Sequence, residues 1–253
     1  MNRKTVMAAA AAVLSVSMMM TAWAGPAEQV QDQGNTPSLL PGVVEGNTYI
    51  NESLGIKCEF PEEWVLLSEE GKKQINKAAI GVLVDASLNE LLYLDEKESY
   101  QELFAFSEKD SVNIYITKES KEEKDYLSQH TLKELLESQI PMYQFGLEKV
   151  GYEELEKIEV LEEEDFEFPL EDCACIAFTG KIKEDWEDQE DQEEDDALQD
   201  MRQVQIYIVR EGYDIIITAT SIEEDHTMEY LEFFTGIDEE PEPEMPAEQS
   251  EAE

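Results

Sequence analysis

The sequence predicts a single α+β domain in which helices pack against an antiparallel sheet. Three observations support this fold class. Apolar residues make up 42% of the 253 residues and aromatic residues 9%, enough for one sizeable core. Short apolar stretches bounded by turn residues alternate with stretches of helical period. Several strand-like stretches then follow one another directly in the second half of the chain.

The first half begins with a predicted hairpin. Residues 48–50 and 56–60 read as strands, and Gly55 supplies the turn between them. A helical stretch starts at Ser68. We expect it to run through Ile75 and Ala79, to break at Gly81 and to continue with Leu88, Leu91 and Leu92.

A second hairpin and a well-marked helix follow. The strands 100–106 and 112–117 flank a turn at 108–110. Thr131 and Glu134 have the spacing of a capping box, which marks a helix start. A kink is expected at Pro141. The apolar positions of this helix are Leu132, Leu135, Leu136, Ile140, Tyr143 and Leu147.

The second half is predicted to be rich in strands. The candidate strands are residues 155–161, 166–168, 173–178, 204–209 and 215–219. Ser221 and Glu224 form a second potential capping box, so we expect a final helix there. It would carry Met228, Tyr230, Leu231, Phe233 and Phe234. The aromatic residues Trp64, Phe104, Phe106 and Tyr115 are expected to lie in the core.

Charge separates the chain into parts. The 61 Asp and Glu residues against 18 Lys and Arg give a formal net charge of -43, which excludes a nucleic-acid-binding protein, since phosphate binding needs clustered bases. We expect a flexible linker at 25–47, one folded domain at 48–237 and a disordered acidic tail at 238–253. Within the domain, residues 183–200 hold eleven acids and read as an acidic hairpin loop.

The amino terminus has the pattern of a secretory signal peptide at residues 1–24. Arg3 and Lys4 precede the apolar run 6–20, and Ala22 and Ala24 are the small residues that a signal peptidase reads. A membrane anchor is the competing interpretation, but the run is shorter than the about 20 residues that a bilayer requires. We therefore expect cleavage near Ala24 and a secreted, extracellular protein without stable membrane insertion.

Two segments resemble PsbP-like domains. The first is the run YINESLGI at 49–56 followed by Cys58, Phe60, Pro61 and Trp64, and the second comprises strands 207–209 and 215–220 with the aromatic helix after them. The P subunit of the photosystem oxygen-evolving complex and the Ran-binding Mog protein share this fold. It is also similar to secreted proteins of unknown function from anaerobic Gram-positive bacteria. The resemblance spans 47–237 and implies an antiparallel sheet packed with helices in a sandwich, a binding or assembly role and no catalytic set.

The residues themselves also predict no enzyme. His130 and His226 are the two histidines, both near predicted helix starts, where the helix dipole disfavours a charged imidazole. No G-x-S-x-G motif is present. A carboxylate- or metal-dependent extracellular enzyme stays open as an alternative, because any two of the 61 acids held in a cleft would supply an acid and a base.

Three cysteines leave two interpretations open. Cys58 could form a disulfide with Cys173 or Cys175 and leave the third thiol free, or all three could be reduced and buried. The odd number favours three thiols. Zinc binding is disfavoured, since C-x-C lacks the usual ligand spacing.

Calcium is the one cofactor that the sequence suggests. The acidic loop offers hard oxygen ligands, but it lacks a glycine and the ligand spacing of a calcium loop. A solvated run of charges is therefore the favoured interpretation. The weak candidate ligands are Asp185, Asp188, Asp191 and Asp195.

Taken together, these features predict a secreted, non-catalytic binding or assembly domain. Its ligand is unknown from sequence. The charge favours a basic protein or envelope component as partner.

Overall fold

The computed structural model describes residues 39–85, 99–149, 152–183 and 198–237. Over these residues it contains two sheets and four α-helices. The elements are β1 Val43–Glu45, β2 Thr48–Asn51, β3 Ile56–Glu59, β4 Val65–Leu66, α1 Glu69–Asp85, β5 Ser99–Phe106, β6 Ser111–Lys118, α2 Lys121–Leu127, α3 Leu132–Lys149, β7 Tyr152–Val160, a 3-10 turn Glu163–Asp165, β8 Cys173–Lys183, β9 Leu198–Arg210, β10 Tyr213–Ile222, α4 Thr227–Leu231 and β11 Phe234–Gly236.

The two sheets are antiparallel. The large sheet has the strand order β4-β5-β6-β10-β9-β8-β7, and the small sheet has the order β1-β2-β3-β11. Strand β10 lies at the centre of the large sheet, where Ile217 is opposite Ile114 of β6 and Ile206 of β9. The predicted α+β class, an antiparallel sheet with helices packed against it, is confirmed.

Each face of the large sheet has its own core. One core lies between the two sheets and contains residues such as Ile114, Ile206 and Ile217 with Tyr49 and Trp64. We call it the sheet–sheet core. The other lies under the helices and contains Phe104, Ile176 and Ile216 with Leu136 and Leu147 of α3. We call it the helix–sheet core.

The predicted hairpins and the first capping box are confirmed. Strands β2 and β3 pair around a turn in which Gly55 has a φ of +75°, a conformation that glycine adopts at little cost. Strands β5 and β6 pair as the second hairpin. The Thr131 backbone N–H donates to Glu134 Oε2 at 2.8 Å, and the Glu134 N–H donates to Thr131 Oγ1 at 3.2 Å.

The predicted aromatic core is also found. Trp64, Phe104 and Tyr115 are buried and Phe106 is half-buried. The Trp64 ring lies 5.5 Å from Phe60 and 5.0 Å from Tyr230, so the aromatic end of the chain packs against the P-x-x-W segment.

The prediction of a final helix from Ser221 is wrong. Ser221 belongs to β10. Its hydroxyl oxygen lies 2.6 Å from the Glu224 carbonyl oxygen and 2.9 Å from Asp110 Oδ1, so these two acceptors share its single proton. The contact between Ser221 and Glu224 therefore stabilises a turn after a strand and does not cap a helix. Helix α4 has five residues and starts at Thr227, and Phe234 pairs with Cys58 in strand β11.

Four further segments differ from the prediction. Helix α1 is continuous through Gly81 to Asp85. Residues 166–168 follow a 3-10 turn and form no strand, and Phe166 and Phe168 pack on the sheet–sheet core. Helix α2 was not predicted because its sequence, KEEKDYL, has almost no apolar period. Strand β1 was not predicted either, and it begins inside the predicted linker 25–47.

Several predicted segments lie outside the described residues. They are the signal peptide 1–24, the first part of the linker, Leu88, Leu91 and Leu92, residues 184–197 of the acidic loop and the tail 238–253. The strands that flank the acidic loop do pair, with Lys183 opposite Leu198. Among the described helices, none combines the length and the apolar character needed to cross a bilayer.

Candidate functional site

The helix-facing side of the three central strands is buried and yet polar. Side chains alternate along each strand, so Val112 and Ile114 enter the sheet–sheet core while their neighbours face the helices. Between Ser111 and Thr117 of β6, Met201 and Val209 of β9, and Asp214 and Ile222 of β10, fourteen positions face the helices, and four of them are apolar: Met201, Val209, Ile216 and Ile222. The other ten, which we call the polar strip, are Ser111, Asn113, Tyr115, Thr117, Gln203, Gln205, Tyr207, Asp214, Thr218 and Thr220.

The register brings the polar side chains of neighbouring strands together. Thr218 of β10 is opposite Asn113 of β6 and opposite Gln205 of β9. Two residues further, Thr220 is opposite Ser111 and Gln203. The strip is thus a continuous polar surface across three strands.

The helices lie mainly over the outer strands of the large sheet. Helix α1 contacts β5, and α3 contacts β7 and β8. From α3, Gln139 and Tyr143 are buried beneath the helix. The polar strip therefore lies between the two helices, in the layer that also contains these two polar side chains.

Many polar atoms in this layer have no partner. Among the described residues, eleven buried side-chain nitrogen and oxygen atoms have no hydrogen bond: Asn76 Oδ1, Gln101 Oε1, Asn113 Nδ2 and Oδ1, Gln139 Oε1, Tyr143 Oη, Tyr152 Oη, Gln203 Oε1, Gln205 Nε2 and Oε1, and Asp214 Oδ1. Seven of these atoms belong to five helix-facing residues of β5, β6, β9 and β10, and the other four come from α1, α3 and β7. None belongs to the sheet–sheet core as described.

Buried polar groups elsewhere in the described chain are satisfied. The Glu102 carboxylate is 6% exposed and accepts hydrogen bonds from Tyr49 Oη at 3.0 Å, Asn51 Nδ2 at 3.4 Å and the Gly42 N–H. Part of the polar strip is also paired, since Gln203 Nε2 donates to Thr220 Oγ1 at 3.1 Å. The unpaired atoms are therefore a local property of the helix–sheet layer.

An acid cluster lies at one end of the strip. It consists of Glu123 of α2, Asp214 of β10, Tyr207 of β9 and Tyr143 of α3. Tyr207 donates its hydroxyl hydrogen bond to Glu123, and Glu123 and Asp214 share a hydrogen bond. Ser120 fixes the start of α2, because its Oγ accepts from the Glu123 N–H at 3.1 Å. This cap holds Glu123 on the buried side of the helix.

Burial changes the acidity of the cluster. It raises the pKa of Asp214 well above the usual range, and the neighbouring Glu123 raises it further. Burial also raises the pKa of Glu123, although hydrogen bonds from Tyr207 and Asp214 oppose the rise. Two carboxyl groups in direct contact cannot both ionise easily, so the pair binds a proton more tightly than an ordinary carboxyl group does. Burial and then the charge of Glu123 raise the pKa of Tyr143, which stays a neutral hydroxyl.

The predicted calcium ligands cannot be placed. Asp185, Asp188, Asp191 and Asp195 all lie outside the described residues. Within the described ranges, no group of three or more His, Cys, Asp and Glu side chains is arranged to hold a metal ion.

The two histidines lie at the surface, away from the polar strip. His130 stacks on Tyr126 with ring centres 4.1 Å apart. His226 precedes α4, with ring nitrogens 3.4 Å from Glu224 and 3.2 Å from Glu229. Desolvation lowers the pKa of His226, but hydrogen bonds to the two carboxylates outweigh it and the pKa is raised. These two carboxylates therefore favour the charged form of His226, which the helix position alone would disfavour.

All three cysteines are free thiols in the structure. Cys58 and Cys175 are buried in the sheet–sheet core, and burial raises the pKa of both thiols. Cys173 is half-buried, donates from Sγ to the Leu170 carbonyl at 3.3 Å and has a pKa raised to about 11, chiefly by burial. Thiols held in this neutral form are poor nucleophiles.

Sequence reasoning missed the polar strip for a physical reason. Gln203 and Gln205 alternate with Val204 and Ile206, which is the pattern of a strand with one face in water. Only the three-dimensional structure shows that this face is buried. The one available signal was Gln139, a polar residue at a position of α3 that the helical period places inward.

The comparisons with known proteins give distant structural similarity alone. No family model and no curated protein matches the chain. Among solved structures, it is similar to LpqN, involved in cell envelope biogenesis of Mycobacterium tuberculosis, at 11% identity over 83% of this chain and 98% of that one, with a TM-score of 0.31. It is also similar to a Pseudomonas aeruginosa protein of unknown function described as a putative regulator, at 12% identity over 46% of this chain and 62% of that one, with a TM-score of 0.20.

Proposed function

We propose that this chain is an exported, non-catalytic protein that binds a small polar ligand in the layer between its large sheet and its helices. One observation carries the proposal. Eleven unpartnered buried polar atoms of the described residues are concentrated in that layer. An unsatisfied buried polar group costs about 1–3 kcal/mol, and native proteins retain few of them.

A purely structural role does not account for this arrangement. Leucine or valine at Asn113 and Gln205 would fill similar space without an unpaired amide, as Ile114 and Ile206 do on the other face. Proteins that depart from a stable core pattern usually do so where function requires it. A bound ligand that supplies the missing hydrogen bonds would stabilise the folded chain by its own binding free energy.

Export and the binding role have separate support. The charged, apolar and small-residue pattern of 1–24 is typical of a signal peptide. The resemblance of residues 49–64 to PsbP-like domains favours binding over catalysis. Under this proposal the polar strip holds the ligand, and the acidic surface is left for a basic partner.

The experiment that tests the proposal compares bound mass. The full chain, recovered from the medium of a secreting host, would be measured by native and by denaturing mass spectrometry. We expect a stoichiometric added mass on the native protein. It should disappear in the folded variant Asn113→Leu/Gln205→Leu and persist in Gln144→Leu, a control at an exposed position of α3. An equal added mass on the wild type and on the double variant, or none on either, would overturn the proposal.

One observation favours a second candidate, a hydrolase. Carboxyl groups that share a proton, as Glu123 and Asp214 do, activate water in acid proteases. Hydrolysis of labelled casein or of a chromogenic glycoside that is lost in Asp214→Asn and kept in Glu122→Gln would favour this enzyme over the binding protein. If the chain is a binding protein, neither the wild type nor Asp214→Asn nor Glu122→Gln should hydrolyse these substrates.

A further inference from the structure

We infer that the ligand of this layer is a cationic amine, whose ammonium group is held by Glu123 and Asp214 and whose polar chain lies along the strip. The inference rests on the proposed function and specifies its ligand class. It follows from the hydrogen-bonding capacity, the charge and the geometry of the layer.

The unpaired atoms are mostly acceptors. Of the eleven, seven are amide or carboxyl oxygens, two are amide nitrogens and two are tyrosine hydroxyls. Both the oxygen and the nitrogen of the Asn113 and Gln205 amides are unpaired. Exchanging these two atoms in either amide therefore leaves the excess of acceptors over donors unchanged. A complementary ligand must therefore be rich in donors. An ammonium group carries three donors and no acceptor.

The ionisable groups beside the carboxyl pair are acids and phenols, although Lys124 acts on the outlying Glu119. The ionisable groups that face the carboxyl pair are Glu119, Tyr143 and Tyr207. Glu119 is itself only partly exposed, and burial raises its pKa. Among the described residues, no Lys, Arg or His belongs to the polar strip or supplies one of the unpaired atoms. An anionic ligand would be repelled, whereas a cation would be attracted.

The geometry places an anionic end and a neutral end on one surface. Asp214, with its unpaired Oδ1, lies at one end of β10, and Thr218 and Thr220 lie four and six residues further along. At about 3.4 Å per residue, the strip extends about 14–20 Å from the carboxyl pair. Tyr143 Oη is fully buried and unpaired beside Glu123, so it can accept a hydrogen bond from the ammonium group. This length fits an amine with several further polar atoms in its chain.

Binding of an ammonium ion should release a proton. Under this inference, the carboxyl pair shares one proton before the amine binds, because neither group has a cation beside it. An ammonium ion stabilises the second carboxylate, so the shared proton passes to the buffer while the ammonium keeps its own. The many surface carboxylates are already ionised at neutral pH and bind cations without releasing protons.

Proton release gives the experiment a signature that surface binding lacks. Spermidine would be titrated calorimetrically into the full chain at about 0.15 M NaCl and neutral pH, in two buffers of different ionisation enthalpy. Triethylene glycol, a neutral chain of the same length, serves as the ligand control. We expect one site that takes spermidine, releases about one proton and does not take the glycol.

The variants locate the site. Asp214→Asn should weaken binding by about 10- to 100-fold and abolish proton release, because it removes a charged hydrogen-bond partner. Glu123→Gln is a second variant with the same expectation, should the first fail to fold. Glu122→Gln removes the same charge from an exposed position of α2 and should bind as the wild type does.

Two outcomes would overturn the inference. Spermidine binding that is unchanged in Asp214→Asn and releases no proton would show adventitious association with surface acids. Absence of site-specific heat, together with an added native mass that still depends on Asn113 and Gln205, would mean that the layer binds a ligand of another class. In that case the proposed function stands and the amine inference fails.

Discussion

At the scale of single residues, the two cores differ in how they treat buried polar groups. Glu102 has three hydrogen-bond donors around one carboxylate, while the amide of Gln205 has no partner among the described residues. Both side chains are nearly or fully buried. The first arrangement stabilises the fold, and the second lowers its stability, which under the proposed function leaves polar atoms for a ligand.

Replacing the unpaired amide should therefore stabilise the free protein. Gln205→Leu keeps the side-chain volume and removes the unsatisfied group, so we expect the free energy of unfolding to rise by about 1–3 kcal/mol in equilibrium urea denaturation. Tyr49→Phe is the matched control, since it deletes two hydrogen bonds that are made, one to Glu102 and one from Asn51, and should lower stability by about 1–3 kcal/mol. A destabilised Gln205→Leu would show that this amide is paired in solution.

The buried carboxyl pair should make stability depend on pH. Because the pKa of Asp214 is raised, the native state holds its proton more tightly than the unfolded chain does. Rising pH from about 4, the ordinary range of Asp, therefore removes stability from the wild type until the native group also ionises.

The measurement is the difference in unfolding free energy between the wild type and Asp214→Asn across the range from about pH 4 to pH 8. This difference should fall as pH rises, because asparagine cannot ionise. The difference between the wild type and Glu122→Gln should stay flat, since that side chain is exposed. A flat profile for Asp214→Asn would contradict a shared proton.

At the scale of elements, short caps decide where the acid cluster forms. Helix α2 has seven residues and depends on the bond from the Glu123 N–H to Ser120 Oγ. Ser120→Ala should lower the unfolding free energy by about 0.5–2 kcal/mol and reduce proton release on spermidine binding, because Glu123 loses its fixed position. Ser128→Ala, at the other end of the same helix, should change neither the unfolding free energy nor the proton release to this extent. Unfolding and calorimetric data on both variants test this.

The pairing of β7 with β8 requires glycine at position 180, where a side chain would not fit. A Cβ at Gly180 would lie 2.6 Å from the Glu154 carbonyl oxygen and 2.8 Å from the Tyr152 ring. We expect Gly180→Ala to lower the unfolding free energy by about 1–3 kcal/mol. Gly71→Ala in helix α1 meets only the flexible Leu67 side chain, so it should be neutral or stabilising by up to about 1 kcal/mol. Equal urea midpoints for the two variants would contradict the steric argument.

Elements with strong local signals were predictable from sequence, and those set by distant contacts were not. The Thr131 capping box and the β5–β6 hairpin depend on residues a few positions apart. The segment after β10 depends instead on the pairing of β11 with β3, which is far away in sequence, and this pairing overrides the helical spacing of its aromatic residues. The polar strip was hidden for the same reason, since the cover over Gln203 and Gln205 comes from other elements.

At the scale of the whole molecule, charge repulsion opposes folding. The chain carries 61 acids and 18 bases, and described ion pairs such as Lys133–Glu162 lie at the surface. Exposed pairs contribute about 0–1 kcal/mol each and weaken in salt. The chain has more than three acids for each base. Salt should therefore stabilise the fold more by screening repulsion between acids than it destabilises the fold by weakening these ion pairs.

Salt should therefore stabilise this protein. Raising NaCl from about 0.01 M to about 0.15 M shortens the screening length from about 30 Å to about 8 Å. We expect the unfolding free energy from urea denaturation to increase by more than about 0.5 kcal/mol, the scale of one exposed ion pair. The difference between the wild type and Asp214→Asn should change much less, because the buried carboxyl pair is screened far less than the surface. A fall in stability with salt would mean that attractive pairs outweigh the acidic excess, and a salt-sensitive difference would place Asp214 in contact with solvent.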